Sequence, residues 1–296
     1  MTTTAAPTPR FVWPTEALLG EGPYWSEGEG ALWYVDIKGG AIHRYHPASN
    51  AHATWAVGGQ PSFVVPAGEG RLVAGSNHSL ILFDTAAADG ALPQTMLAPI
   101  AMPAHNRTND ATVDCHGRLW FGTMDDGETE GTGAIYCLVD GAVRQMGGEA
   151  VVTNGPAATR DGRTLYHVDS GSRIIWRSRI GDGPELLEKE VFLQLGEADG
   201  YPDGIVLDSE GCLWVALWDG WGVQRHAPDG SLLLRIDLPC ARVTKIAFGG
   251  DDLRTAYVTT ARTGLSEAQL AEQPLAGGLF AFDAPVAGLP LPNVVF

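Results

Sequence analysis

The sequence lacks the features of chains that bind nucleic acids or membranes. Only 18% of its 296 residues are charged, and 35 Asp and Glu outnumber 19 Lys and Arg, which gives a formal net charge of −16. This excess of negative charge repels phosphate backbones and anionic lipid head groups. No apolar run approaches the roughly 18 residues that a membrane-spanning helix needs. We therefore expect neither a nucleic-acid partner nor a membrane partner.

Cysteine is scarce, and no zinc-finger spacing is present. The four cysteines are Cys115, Cys137, Cys212 and Cys240. Because no two of them form a Cys-x-x-Cys pair, we expect reduced and mostly buried thiols rather than a disulfide framework or a zinc cluster. Residues 1–10 lack the basic end and the apolar run of a secretory signal, so we expect a flexible segment and a cytoplasmic protein.

Several common catalytic motifs are missing as well. The chain has no Gly-x-Ser-x-Gly elbow, no phosphate-binding P-loop and no Gly-x-Gly-x-x-Gly after a strand. His43 and His46 lie three residues apart, which on a strand points them to opposite faces, so we expect surface residues rather than a metal pair. Only residues 266–272 have a helical pattern, which argues against an α/β fold with crossover helices.

The chain is instead rich in residues that form turns and strands. It has 38 Gly and 19 Pro, while 45% of its residues are hydrophobic and nine are Trp. This composition predicts a packed core made from many short elements. A unit of turn residues followed by an apolar or aromatic run recurs six times. The second apolar residue of each run is Trp33, Val73, Trp120, Tyr166, Trp214 or Tyr257.

These six marker residues are spaced by 40 to 48 positions. Four short antiparallel strands with their turns need about 40–50 residues, which is one blade of a β-propeller. We predict an all-β, six-bladed β-propeller with four antiparallel strands per blade, formed as a single domain by residues 1–296. The strand near residues 11–13 should pair with the last blade and close the ring. The marker tryptophans should pack in the blades.

Residues at one offset within each repeat should meet around the central channel. Eleven or twelve positions before the markers stand Glu21, Pro61 or Ser62, Asn109, Asn154, Asp203 and Lys245. Most of these lie in short phrases with Gly or Pro, and each phrase alone is typical of a turn. Together they bring two carboxylates and an amide oxygen to one mouth of the channel, where the charges would repel each other unless a cation lay between them.

This oxygen-rich set predicts one divalent metal ion in the channel. Hard oxygen donors suit Ca²⁺, Mg²⁺ and Mn²⁺, and carboxylates also bind Zn²⁺ and Fe²⁺, so the sequence does not select the ion. Three protein ligands leave coordination positions for water or substrate, which is typical of a catalytic metal.

At these residues the sequence resembles the senescence-marker-protein, regucalcin and gluconolactonase family of six-bladed propellers. The phrases that carry the resemblance, which covers about residues 19–282, include Leu19-Gly20-Glu21-Gly22-Pro23, Asn106-Arg107-Thr108-Asn109-Asp110, Thr153-Asn154-Gly155-Pro156 and Tyr201-Pro202-Asp203-Gly204. The resemblance implies hydrolysis of sugar-acid lactones. Within the family the chain is most similar to bacterial pentonolactonases that act on xylonolactone or arabinonolactone.

The resemblance also implies roles for individual residues. Glu21, Asn154 and Asp203 match the family's metal ligands, and Arg107 and Asn109 match positions that contact substrate. Asp203 is then the first candidate for orienting the attacking water or accepting its proton. Arg107 and Asn109 would hydrogen-bond substrate hydroxyls or the developing oxyanion. The alternative for Arg107 is a surface ion pair.

The lid of the pocket departs from the family pattern. Many relatives place a substrate-binding Glu in a longer loop, whereas residues 125–133 form a short segment in which Glu128 and Glu130 are both candidates. A short lid opens the pocket, so the preferred ring size does not carry over. We expect a pentonolactone as substrate, otherwise gluconolactone, and a monomeric protein.

Two other functions remain compatible with the sequence. The same fold and metal could hydrolyse phosphotriesters or other esters, although Arg107 and Asn109 suit hydroxyl-rich rings better. A non-catalytic, calcium-binding regulatory propeller is also possible, because the fold alone does not fix the function. Such a propeller has no need for carboxylates and an amide at one repeated offset.

Overall fold

The computed structural model describes residues 7–68, 70–86 and 90–296, and short strands make up nearly all of its regular structure. In chain order the strands are β1 (Arg10–Trp13), β2 (Gly20–Ser26), β3 (Ala31–Asp36), β4 (Ala41–His46), β5 (Ala51–Ala56), β6 (Pro61–Pro66), β7 (Arg71–Ser76), β8 (Ser79–Asp84), β9 (Gln94–Pro99), β10 (Asn106–Val113), β11 (Leu119–Asp125), β12 (Gly133–Val139), β13 (Ala142–Ala150), β14 (Thr153–Ala158), β15 (Thr164–Asp169), β16 (Ile174–Ile180), β17 (Leu186–Gln194), β18 (Tyr201–Leu207), β19 (Leu213–Trp218), β20 (Gly222–His226), β21 (Leu232–Asp237), β22 (Val243–Gly249), β23 (Thr255–Thr260) and β24 (Leu279–Asp283). The predicted helical segment forms the helix α1 (Glu267–Glu272), which Ser266 caps. Within the described part of the chain, no helix combines the length and apolarity needed to cross a membrane.

The strands form six four-stranded antiparallel sheets. Blade 1 contains β2–β5, blade 2 β6–β9, blade 3 β10–β13, blade 4 β14–β17, blade 5 β18–β21, and blade 6 β22–β24 with β1. The first strand of each of these blades, hereafter the inner strand, contacts the inner strand of the next, in the order β2, β6, β10, β14, β18, β22 and back to β2. The predicted all-β, six-bladed propeller is confirmed.

β1 joins the beginning of the described chain to its last blade. The pairs between β1 and β24 are Arg10 with Ala281, Phe11 with Phe280, and Trp13 with Leu279. The predicted ring closure is therefore confirmed. Of the ten residues expected to be flexible, residues 1–6 lie outside the described residues, and Arg10 already belongs to β1.

Burial falls from the inside of each blade to its rim. In blade 1 all six residues of β3 are buried, whereas β5 is mostly exposed. Trp33, Trp120 and Trp214 stand on the second strands of their blades and are fully buried. Each large aromatic side chain removes about 150–250 Å² of surface from water, so these residues dominate the packing of their blades. The predicted packing role of the marker tryptophans is confirmed.

Buried carboxylates brace two of the blades. Asp114 Oδ2 accepts hydrogen bonds from Arg118 Nε at 2.6 Å and Trp120 Nε1 at 2.8 Å, while its Oδ1 accepts from two backbone N–H groups. Asp208 in blade 5 repeats this pattern. The side-chain donors to its Oδ2 are Trp214 Nε1 at 2.9 Å and Arg225 Nε at 2.7 Å. Both oxygens of each carboxylate are thus satisfied inside the blade.

Every inner strand contains a β-bulge where it pairs with the second strand of its blade. The register shifts fall within residues 21–24, 61–63, 108–111, 154–157, 202–205 and 243–245. A bulge takes residues out of the ladder and re-aims their side chains. The phrases that look like turns in the sequence therefore lie inside strands, and the bulges turn their polar side chains towards the channel.

Glycine in these phrases allows neighbouring blades to approach closely. Gly22 has φ +50°, and a Cβ there would lie 2.5 Å from Cα of Phe63 on the next inner strand. Gly155 has φ +24°, and its Cβ would lie 2.5 Å from the backbone nitrogen of Ile205. Any larger residue would be strained and would push the blades apart. These glycines therefore set the distance between inner strands beside the site.

The far end of the channel contains a second cavity with both apolar and polar walls. A cavity of about 540 Å³ at this end is lined by side chains such as Phe63, Ile205 and Phe248, and residues 288–292 form part of its wall. The backbone N–H of Val294 donates to the carbonyl oxygen of Pro66 at 2.8 Å, which holds the C-terminal segment in place. The opposite, more polar end is lined by Glu21, Arg107, Asn109, Asn154 and Asp203.

The expectation that His43 lies at the surface is wrong. Its side chain is buried because Trp13 of β1 and Tyr34 pack against it, with ring centroids 5.4 Å and 4.8 Å away. The sequence does not reveal that the N-terminal strand covers this part of β4. The thiols follow the prediction, since three of the four are buried and Cys115 is exposed.

Candidate active site at the mouth of the channel

A cavity of about 710 Å³ opens at the polar end of the channel. The sequence-derived site residues that line it are Glu21, Arg107, Asn109, Glu128, Asn154 and Asp203. Glu128 lies in the short lid segment, and Arg107 lies on β10 just before its bulge. The other four come from the bulged parts of β2, β10, β14 and β18. The structure therefore brings together side chains that are up to 182 positions apart in the chain.

Glu21 and Asp203, the two buried carboxylates that line this cavity, are both hard to ionise. Burial raises the pKa of Glu21 to about 8, and the nearby Asp110 carboxylate contributes to this rise. Burial and the Glu21 carboxylate also raise the pKa of Asp203 well above its ordinary value. The cations Lys245 and Arg107 act in the opposite direction on both acids. Two ionised carboxylates at this place therefore need more positive charge than the described residues supply.

One oxygen of Asp203 lacks any partner. Its Oδ1 is buried and accepts no hydrogen bond from the described residues. An unpaired buried oxygen of this kind costs free energy unless a bound group satisfies it. Asp203 therefore differs from the braced carboxylates of the blades.

A chain of side-chain hydrogen bonds connects the polar residues of two neighbouring inner strands, β10 and β14. Arg107 Nη1 donates to Asn109 Oδ1 at 2.7 Å, and Asn109 Nδ2 donates to Asn154 Oδ1 at 2.7 Å. Asn154 Nδ2 then donates to the hydroxyl oxygen of Ser170 at 3.0 Å. The amides are therefore held in defined orientations, and the second lone pair of Asn154 Oδ1 stays available to a further partner.

Arg107 is not a surface ion pair, because it is only 4% exposed. Its Nε donates to Asp126 Oδ1 at 2.8 Å, and Lys38 Nζ reaches the same oxygen at 2.5 Å. Nη1 is used by Asn109 and by the carbonyl oxygen of Thr108. Nη2 makes no hydrogen bond to the described residues, so this amino group can donate to a molecule in the cavity.

Lys245 and Asp110 are charged residues of the channel to which the sequence pattern assigns no role. The ammonium group of Lys245 forms an ion pair with Asp110 and donates to the carbonyl oxygen of Ala111 at 3.1 Å. Lys245 stands at the same repeat offset as the site residues, which is the signal that could have identified it. Asp110 immediately follows Asn109 on β10. The ammonium group of Lys245 is therefore an internal cation, and it lowers the pKa values of Glu21 and Asp203, which burial raises.

The structure distinguishes the two lid carboxylates. Glu128 lines the cavity. Glu130 does not, and its Oε2 lies 3.7 Å from Nε2 of His105. Asp125 anchors the loop, because its Oδ2 accepts from the backbone N–H groups of Thr129 at 2.8 Å and Glu130 at 3.0 Å. The loop thus points Glu128 inward while Glu130 faces away.

The donor set fits a hard divalent cation. Glu21 and Asp203 provide carboxylate oxygens, one of them without a partner, and Asn154 provides an amide oxygen. Across the described ranges, no group of three or more His, Cys, Asp or Glu side chains is arranged to hold a metal. A cation at the mouth would therefore depend on the amide oxygen as well as on the two acids.

The sequence of the chain matches a family model over residues 19–262. The description of this model is "SMP-30/Gluconolactonase/LRE-like region". The chain belongs to this family. Family membership agrees with the resemblance inferred from the motifs, and the matched region contains Glu21, Asn154 and Asp203.

Several known proteins are similar to the chain along nearly their whole length. A 6-deoxy-6-sulfogluconolactonase of Pseudomonas putida is 32% identical over 92% of this chain and 93% of its own. A pentonolactonase of Haloferax volcanii is 32% identical, covering 93% of this chain and 94% of its own. Among solved structures, a calcium-binding protein named regucalcin from Agrobacterium tumefaciens superposes with a TM-score of 0.92 at 29% identity and full coverage of both chains.

Proposed function

We propose that the chain hydrolyses the ester bond of a sugar-acid lactone in a metal-dependent reaction and releases the aldonic acid. The observation that carries this proposal is the convergence of Glu21, Asn154 and the unpartnered oxygen of Asp203 beside the free amino group of Arg107 in one cavity. A pentonolactone such as xylonolactone or arabinonolactone is the proposed substrate, with gluconolactone as the next choice.

The relatives support the reaction type. Both relatives named above are lactonases, one for a pentonolactone and one for a substituted gluconolactone, and the family makes this chain a lactonase. A cavity of about 710 Å³ is large enough for a single sugar ring. The choice of a five-carbon substrate rests on the pentonolactonase likeness.

Glu21, Asn154 and Asp203 would hold the divalent ion. The chemistry that such an ion supplies is Lewis-acid polarisation of the lactone carbonyl. The regucalcin structure is described as that of a calcium-binding protein, which supports a divalent ion at this site. The identity of the ion in this chain is left to experiment among Ca²⁺, Mg²⁺, Mn²⁺, Zn²⁺ and Fe²⁺.

The side chains of the cavity have separate proposed roles in proton transfer, oxyanion stabilisation and substrate binding. Asp203 has two carboxylate oxygens, so one can hold the ion while the other accepts the proton of the attacking water. Arg107 Nη2 can donate to the oxyanion that forms at the carbonyl. Both amide protons of Asn109 are used, by Thr153 O and Asn154 Oδ1, so Asn109 can accept from a substrate hydroxyl but not donate to an oxyanion. Glu128 can accept from a second hydroxyl at the mouth.

A panel of freshly prepared lactones tests the proposal. The protein is stripped with EDTA and then supplied with each of the five ions, and acid release from xylonolactone, arabinonolactone and gluconolactone is followed above the spontaneous rate. We expect activity only after metal is restored, with a pentonolactone as the best substrate. Full activity of the stripped protein, or hydrolysis of a phosphotriester but of no lactone, would refute the proposal.

A further inference from the structure

Ser170 connects two inner strands that carry site residues. It follows β15 and is nearly buried, and its backbone N–H donates to Val152 O at 3.1 Å. Its hydroxyl oxygen accepts from Asn154 Nδ2 at 3.0 Å, and the hydroxyl donates to the carbonyl oxygen of Pro202 at 2.7 Å. Pro202 immediately precedes Asp203. One hydroxyl therefore joins Asn154 on β14 to the backbone next to Asp203 on β18.

The direction of this hydrogen-bond chain is fixed at both ends. At one end Arg107 can only donate, so it requires the oxygen of the Asn109 amide to face it. At the other end Pro202 O can only accept, so the hydroxyl proton of Ser170 must point to it. Ser170 is then left to accept from Asn154, whose nitrogen faces Ser170 and whose oxygen faces Asn109 and the cavity.

We propose that Ser170 is a positioning residue that fixes the amide of Asn154, and its spacing from Asp203, for binding of the divalent ion. This inference rests on the proposed function, because it assigns Ser170 a role towards the metal of the same site. Ser170 itself is not a ligand in this assignment. Groups that orient metal ligands in this way typically contribute about 10–100-fold to metal affinity.

Ser62 provides a matched control. It is a buried serine on the inner strand of blade 2, and its hydroxyl bonds to Thr108 Oγ1 at 2.8 Å and to Gly75 O at 3.3 Å. It therefore also joins neighbouring inner strands, but its hydroxyl hydrogen-bonds to none of the proposed ligands. A general loss of packing would affect both serine variants, whereas loss of ligand orientation would affect only Ser170.

The experiment titrates EDTA-stripped protein with Mn²⁺, and in parallel with Ca²⁺, by calorimetry. We expect Ser170→Ala to weaken binding by about 10–100-fold, Ser62→Ala to leave it unchanged, and Ser170→Thr, which keeps the hydroxyl, to restore it. Thermal unfolding in EDTA checks that each variant is folded. If Ser170→Ala does not fold, Ser170→Cys replaces it, since a thiol keeps the volume but is a weak hydrogen-bond partner.

The outcomes separate this inference from the proposed function. Equal affinity of the wild type and Ser170→Ala, or an equal loss in Ser62→Ala, overturns the role of Ser170 while metal-dependent lactone hydrolysis can still hold. A wild type that binds neither ion overturns both. The expected affinity pattern without hydrolysis of any lactone supports Ser170 as a positioning residue and refutes the proposed reaction.

Discussion

Buried carboxylates occur in two contrasting environments in this propeller. In the blades, Asp114 and Asp208 each receive hydrogen bonds on both oxygens from a Trp, an Arg and backbone N–H groups. At the mouth of the channel, burial raises the pKa of both Glu21 and Asp203, nearby carboxylates raise both further, and Asp203 Oδ1 has no partner among the described residues. The carboxylates of the blades thus have all their hydrogen-bond partners inside the protein. The carboxylates of the channel can be satisfied by a bound ligand.

The two environments differ in the sequence distance between the interacting residues. The side-chain donors to Asp114 are Arg118 and Trp120, four and six positions further along the chain. A single hairpin therefore contains both donors and the carboxylate. Glu21 and Asp203 stand on different blades, and the bulges of β2 and β18 aim them at the same space. Bracing therefore stabilises a blade, whereas convergence creates a site at a cost in stability. Four experiments test this contrast.

The largest effect is expected for Asp203→Asn. This change removes the proposed proton acceptor and one charge of the proposed metal site, so kcat/KM for the best lactone should fall by about 10²–10⁴-fold. Because the lost carboxylate is poorly solvated, the free energy of unfolding in EDTA should not fall. Kinetics and denaturant unfolding on the same preparation measure both. Activity close to wild type would show that Asp203 is an ordinary buried acid.

The opposite result is expected for Asp208→Asn in blade 5. Breaking the pair leaves the nearly buried Arg225 without its main partner, which should cost about 3–5 kcal/mol of unfolding free energy. The Mn²⁺ affinity of the folded variant should not change, since Asp208 does not line the cavity. Asp114→Asn repeats the test in blade 3. A variant that lost metal affinity but kept its stability would show that Asp208 serves the metal site instead of bracing the blade.

His43 is a buried residue of blade 1 whose Nε2 has no hydrogen-bond partner among the described residues. It takes no part in the proposed chemistry. Burial lowers its pKa to about 4, with Asp36 acting in the opposite direction. The unfolded chain therefore takes up the proton near pH 6.5 while the folded protein does not, so stability is lost as the pH falls from about 6.5 towards 4. Between pH 8 and pH 5 the loss should be about 2 kcal/mol.

The control for this effect is His43→Phe, which keeps a ring beside Trp13 and Tyr34. The pH dependence of its unfolding free energy should be flatter over the same range by the amount that His43 contributes. Lactone hydrolysis at neutral pH should be retained, because His43 lies outside the cavity. An unchanged pH profile would mean that His43 takes up its proton in the folded state as well.

The smallest effect concerns the two carboxylates of the lid. Glu128→Gln removes a charged hydrogen-bond acceptor from the cavity, so KM should rise by about 3–10-fold with little change in kcat. Glu130→Gln is the matched control, because Glu130 faces His105 instead of the cavity. Steady-state kinetics on one lactone compares the two. A larger change in Glu130→Gln would show that the lid adopts another arrangement with substrate.

The sequence was sufficient to predict the architecture and the members of the candidate site. The repeat of 40 to 48 residues determines the number of blades, and a repeated offset places equivalent residues around one axis. That reasoning placed Glu21, Asn154 and Asp203 together because propeller geometry depends on the period and not on local detail. Their roles remain proposals.

Features that depend on contacts between blades could not be predicted. The ion pair of Lys245 with Asp110 joins residues 135 positions apart, and no local pattern marks it. The burial of His43 depends on β1, which comes from elsewhere in the chain. The choice of Glu128 over Glu130 depends on how Asp125 folds a short loop. Each of these follows from three-dimensional packing that sequence spacing does not encode.

The pairing of β1 with β24 has a consequence for how the protein forms during synthesis. The partner of β1 is made some 270 residues after β1 itself, so blade 6 can be completed only after β24 has been synthesised. Sequence-distant pairing of this kind is slow to form. Until then, Phe11 and Trp13 stay without the neighbours that cover them, and the nascent chain needs protection from aggregation for that time.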